Sequence, residues 1–161
     1  MKQLLSRAAC VHEAAHAVAR LHVGSSATPT VVHEDGTGLS HGQGRWKSAH
    51  TGQYALWNLL VVMLAGGLAE ARVRKKSAPW IFLTTAREDW SEASRLLTSL
   101  VDRGLADNFD GAYLRAEEET RLMLKACWWT ILRVSEALQE RGALSPEQLV
   151  SMVGETPQGE A

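Results

Sequence analysis

The sequence predicts a mainly helical α+β domain, a bundle of about five helices with a small β-hairpin or two short strands lying beside the first helix. Two observations carry this. Apolar residues recur at three- and four-residue spacings through four long stretches, the mark of helices with one buried side. Between the first two stretches the pattern changes to a β-branched run, Thr30-Val31-Val32, then a polar turn at Glu34-Asp35-Gly36 and a glycine-rich arm from Leu39 to Gly44. A chain of 161 residues, 45% hydrophobic and 22% charged, is sized for a single domain with a real core. That domain is assigned to residues 1–153, and residues 154–161, GETPQGEA, to a disordered tail.

The first helix is expected from about Gln3 to His22, ended by Gly24 and the cluster Ser25-Ser26-Ala27-Thr28-Pro29. The second runs from about Ser48 to Lys75. Its apolar run, Tyr54 to Ala69, is broken by Asn58 and Gly66-Gly67 and falls short of the ~20 residues that span a bilayer, so it reads as a buried helix and not as a membrane span. A third lies in LTTAREDWSEASRLLTSL, with Thr85 as N-cap and Glu88 three residues on, a capping-box arrangement. The fourth extends from about Tyr113 to Arg141 and stops at Gly142. Ser145-Pro146-Glu147-Gln148 opens a short fifth, proline suiting the first helical position.

The composition narrows the partners. A formal charge of −1 gives no reason to expect nucleic acid or an anionic membrane. Cys10 and Cys127 stand alone in helical stretches, without a second cysteine at ligand spacing, and read as reduced core residues of a cytoplasmic protein. The start, MKQLLSRAAC, has no apolar region of signal-peptide length. A phosphate-binding loop of the G-x-x-x-x-G-K-[ST] type is absent from the sequence, so an energy-dependent step would need a separate ATPase or adaptor.

The first helix contains His12-Glu13-Ala14-Ala15-His16. Residues four apart differ by about 40° around a helix, so the two imidazoles project side by side and one ion can take both. A wheel centred on them puts Leu5, Ala8, Ala9, Ala15, Ala19 and Val23 on the same side, with Glu13 at the margin. The plain alternative is a pair of core histidines satisfied by backbone carbonyls or other side chains. The intervening glutamate points further, because H-E-x-x-H on a helix holds zinc through its histidines and sets the glutamate against the water.

Two histidines make an incomplete centre, since catalytic zinc generally takes three protein ligands. Candidates for the third are Glu34, Glu70, Glu88, Asp89, Glu92, His33, His41 and His50. Asp89 shares a helical stripe with Ala93, Leu96, Leu97 and Leu100, so its carboxylate points inward, at a cost that zinc would remove. Stabilisation of the helix N-terminus, or an ion pair with an arginine, would also account for it. Glu70, on a helix rich in Ala and Leu, is the second choice, as ligand or as a residue supporting one.

Taken in order, HEAAHAVA, the β-rich segment, VVMLAGGLAEARV, LTTAREDWSEASRLL and VSEALQERGALSPEQL resemble the peptidase domain of FtsH-type ATP-dependent zinc metalloproteases, over nearly the whole chain. The resemblance implies zinc held by His12, His16 and Asp89, with Glu13 as base, in a mainly helical fold with a small β element at the site. The departures are three. Neither an ATPase module nor transmembrane helices accompany these segments, which implies a peptidase domain standing alone and puts the family's hexamer in doubt. The family's arginine after the paired glycines is replaced in Ala65-Gly66-Gly67-Leu68-Ala69-Glu70, and its motif glycine is Ala15.

The expected activity is that of a zinc-dependent endopeptidase: a zinc-activated water, with Glu13 taking its proton and passing it to the leaving amine. Peptides or unfolded segments would lie along the arm after the turn, with Leu39, Ser40, His41 and Gly42 as substrate contacts, unless that arm is simply a flexible loop. The alternative is a non-catalytic zinc-binding module serving as a binding or assembly partner. Most of the six tryptophans are expected in the core, with homo-oligomer formation or a partner surface as the other use of Trp128-Trp129. His22, His33, His41 and His50 are assigned to surface or loops, and Glu117-Glu118-Glu119 to a solvated helix face.

Overall fold

Alanine dominates the first helix, α1 (Arg7–His22), because that helix runs through the middle of the molecule. The computed structural model describes residues 5–40 and 53–154. In it every residue from Glu13 to Arg20 is buried, on all sides of the helix and not on one face as the wheel suggests. Small side chains let neighbouring helices approach closely, and three elements use this. They are α2 (Gln53–Arg74), α5 (Phe109–Arg141) and a small sheet.

The sheet has three strands in the order β2-β1-β3, formed by β1 (Thr30–Val32), β2 (Gly38–Ser40) and β3 (Ala143–Leu144), both pairings antiparallel. The hairpin is as expected. Its turn is closed by Gly36, whose φ of 82° favours glycine, and by Asp35, whose Oδ1 accepts from the Thr37 amide at 2.9 Å. The third strand is unforeseen, because two residues after a helix cap carry no period. It is placed by Gly142, which ends α5 at φ 78° and turns the chain so that Ala143 pairs with Val31.

The remaining helices are α3 (Ala78–Leu83), α4 (Arg87–Asp102) and α6 (Pro146–Gly154), so the bundle has six described helices against about five expected. The extra one, α3, begins at Ser77, whose hydroxyl accepts from the Trp80 amide at 3.4 Å, with Pro79 in its first turn. Helix α4 starts one residue later than the capping-box reading requires. Ala86 is the N-cap and supplies no side-chain bond, while Thr85 turns to Glu70 instead. Helix α5 starts at Phe109 and not at Tyr113, because Asn108 caps it by accepting from the Gly111 amide at 2.7 Å. Gly154 belongs to α6; the rest of the expected tail lies outside the described residues, as does the expected start of the second helix, whereas the first begins at Arg7 and not near Gln3, since Leu5 and Ser6 are not helical.

Helix α2 fills the centre with Leu60, Leu64 and Leu68, each essentially without exposed surface, and each such side chain contributes about 1.5–3 kcal/mol when fully buried. Its span Tyr54–Arg74 is long and apolar enough to cross a membrane by length and composition, yet 61% of that window is buried within the fold, against α1, α4 and α5.

The tryptophans depart from expectation: none of the five described is fully buried. Trp90 is half-buried between Phe82 and Tyr113, Trp57 donates to Glu119, and Trp128 lies under the Arg72 guanidinium. Trp80 and Trp129 are exposed. A helix packed on one side only, as α5 is at its middle, cannot bury two adjacent residues about 100° apart. Trp46 lies outside the described residues.

Candidate metal centre

His12 and His16 leave α1 toward the N-terminal turn of α4, and Asp89, in the first turn of that helix, reaches back to them. Its Oδ2 lies 2.9 Å from His12 Nε2 and 3.2 Å from His16 Nε2, and the two Nε2 atoms are 3.1 Å apart. Ligands at about 2.0–2.1 Å from a tetrahedral zinc stand about 3.3 Å from one another, so the triangle has the size such a centre requires. The three are the described residues whose ligand atoms gather in this way.

The outer ring nitrogens are already engaged. His16 Nδ1 donates to the Val62 carbonyl at 2.7 Å, and His12 Nδ1 donates to Glu70 Oε2 at 3.0 Å. A carbonyl and a carboxylate can only accept, so each Nδ1 carries its hydrogen and each Nε2 of a neutral ring turns a lone pair inward. Two lone pairs and a carboxylate oxygen within 3.2 Å repel one another unless a proton or a metal ion joins them.

Gly66 leaves room for one. A Cβ built there would lie 2.3 Å from His16 Nε2 and 2.7 Å from His12 Nε2, so a methyl group at this position would crowd both ring nitrogens. Glycine inside a helix costs about 1 kcal/mol relative to alanine, and here it keeps α2 from filling the centre. Its neighbour Gly67 has a different reason, since a Cβ would meet the Phe82 ring at 2.4 Å. The donor set, its spacing and the room left by Gly66 fit zinc.

Burial disfavours a charged His12, but the Asp89 and Glu70 carboxylates beside it prevail and push its pKa up to about 10. Burial would also raise the Asp89 carboxyl, yet the His16 and His12 imidazoles hold it well below the usual carboxylate range. This corrects the expectation that Asp89 is costly without metal: in the metal-free protein a protonated His12 offsets it. Glu70 is likewise held below the ordinary range against its burial, by His12, Thr85 and Arg74, whose Nε donates to Oε1 at 2.6 Å. Glu70 therefore turns both oxygens away from the centre and orients His12 as a supporting residue; it is not a fourth ligand.

Glu13 opens with His12 and Asp89 onto a cleft of about 620 Å³ whose far wall is the turn Asp35 to Gly38. It is 6% exposed, and Gly38 is what lets β2 pass over it, since a Cβ there would strike the Glu13 side chain at 2.3 Å. The edge of β2 away from β1 has no strand beside it among the described residues.

Of the other candidates, Glu88 lines the outer cleft, Glu92 pairs with Arg95 at 2.5 Å, and His33 and Glu34 are exposed at the hairpin turn. Of the substrate arm, Leu39 and Ser40 lie in β2, whereas His41 and Gly42 are outside the described residues, as is His50. His22 ends α1 with Nδ1 3.8 Å from Cys127 Sγ. Neither the Val62 carbonyl nor the role of Gly66 is among the sequence expectations, whereas Gly38, in the glycine-rich arm, is a residue expected to permit close backbone approach. Paired glycines inside an apolar helix are a signal of close approach, but a backbone carbonyl gives none. Compared with known proteins, the chain matches no family model and no curated protein.

Proposed function

We propose that this chain is a zinc-dependent endopeptidase, similar to the FtsH-type peptidase domain, that hydrolyses peptide bonds in peptides or unfolded segments. The observation that carries the reading is Glu13: a carboxylate outside the ligand triangle, on the same helix as two of its members and opening onto the same cleft. A purely structural zinc site has no use for such a group.

His12, His16 and Asp89 would hold the metal, which when bound would supply a Lewis acid for the scissile carbonyl and lower the pKa of water toward ~7. Glu13 accepts the proton of the attacking water and delivers it to the departing amine. A peptide added in extended form to the free edge of β2 would pass Gly38 and bring its backbone beside Glu13, with main-chain hydrogen bonds supplying affinity. Folded substrates would first need unfolding by a separate ATPase or adaptor. Two free thiols, Cys10 and Cys127, suit the cytoplasmic setting that forms part of this proposal.

The test is zinc analysis of the purified chain with a casein or fluorogenic-peptide assay, with and without chelator, for wild type and Glu13→Gln. The amide cannot accept a proton, so the variant should retain zinc and lose about 10²–10⁴ in rate. Equal rates for both proteins would refute the role of Glu13. A zinc-loaded wild type inert on every unfolded substrate would support the binding-module alternative instead.

A further inference from the structure

Helix α5 buries Ala116, Thr120, Met123, Leu124, Ile131 and Val134 against its own fold. The side turned directly away carries Leu114, Glu118, Leu122, Lys125 and Trp129, which at spacings of three and four form one stripe. Three of these are large and apolar, and they are 63%, 62% and 60% exposed. A single exposed leucine needs no explanation, but an aligned set opposite a helix's own core does.

The order of chemistry along the stripe is apolar, acidic, apolar, basic, apolar. Reversed end to end about Leu122, it is complementary to itself. Leu114 comes opposite Trp129 of a second copy, Glu118 opposite its Lys125, and Leu122 opposite its own counterpart on the axis. A parallel pairing would instead set Glu118 against Glu118 and Lys125 against Lys125. Among the described residues no ion pair engages Glu118 or Lys125, whereas their neighbours are satisfied within the helix, Arg121 with Glu117 at 2.6 Å and Arg115 with Glu119 at 3.4 Å.

We infer that the outward face of α5 is a homodimer interface, two copies packing antiparallel about a two-fold axis near Leu122. Such a contact is isologous and closes on itself, so it yields dimers and not filaments. The stripe is about 22 Å long at 1.5 Å per residue, too short to reach the ~800 Å² per partner of a standard interface, so the dimer belongs to the small, reversible class. None of its residues lines the cleft at His12 and Glu13, so the interface leaves that site open and stands apart from the peptidase proposal.

Sedimentation of the full chain from about 1 to about 200 µM tests this, with helical content by circular dichroism as a check that the fold is retained. Wild type should pass from monomer to dimer over that range, and Leu122→Glu should stay monomeric. Glu118→Lys and Lys125→Glu, exposed changes that leave folding intact, should each weaken dimerisation about tenfold or more, and the double exchange should restore it. A wild-type monomer throughout, a dimer indifferent to Leu122→Glu, or a double exchange no better than the single variants would overturn the assignment.

Discussion

Gly66 of α2 stands so close to His16 of α1 that a single added carbon would lie 2.3 Å from its Nε2. The contact joins two residues far apart in sequence, and it makes the backbone of α2 one wall of the candidate metal centre.

Gly66→Ala separates metal binding from helix stability. Alanine is the better helix former by about 1 kcal/mol, yet its methyl group would occupy the cradle between the two imidazoles. The variant should remain helical by circular dichroism and lose most of its zinc by metal analysis. Full zinc occupancy would mean that the ion, if bound, sits elsewhere.

Asp89→Asn should weaken zinc binding by at least about tenfold, because a neutral amide replaces an anionic ligand. It should also destabilise the metal-free protein by about 1–3 kcal/mol, since it leaves a buried cation at His12 with one carboxylate fewer. Denaturant melts with and without chelator read both quantities. Unchanged zinc affinity would reduce Asp89 to an ion-pair partner of the histidines.

Glu70→Gln keeps a hydrogen-bond acceptor for His12 Nδ1 but removes the charge that orients and enriches the ring. Zinc affinity should fall about 10–100-fold with the ligands intact, and Glu70→Ala should fall further. Equal losses in the two variants would argue that the charge contributes nothing.

Tyr113 supplies an alkaline limb. Burial, then the charge of Glu117 and a hydrogen bond to it, push its phenol up to about 12. Its folded pKa lies above the unfolded value of about 10, so the contribution is complete below pH ~10 and is lost as pH rises toward 12. Stability measured by urea melts should decline across that window, and Tyr113→Phe should flatten the decline. An ultraviolet titration with both tyrosines ionising near pH 10 would contradict the burial of this ring.

What could be read from the chain alone was whatever depends on neighbours within a turn or two. The His12-His16 pairing follows from helical geometry, the Asp89 stripe from the same period, and the hairpin from a β-branched run and a turn. Gly142 likewise announces the end of α5. The tertiary structure decided which of several carboxylates meets the histidines, and it set Glu70 behind His12 rather than among the ligands. It also gave Gly38 and Gly66 their meaning, added β3 to the sheet, wrapped α1 on all sides and left Trp129 facing outward. Each of these depends on the packing of elements distant in sequence, where a side chain's surroundings are fixed by helix-to-helix distances that no local pattern encodes.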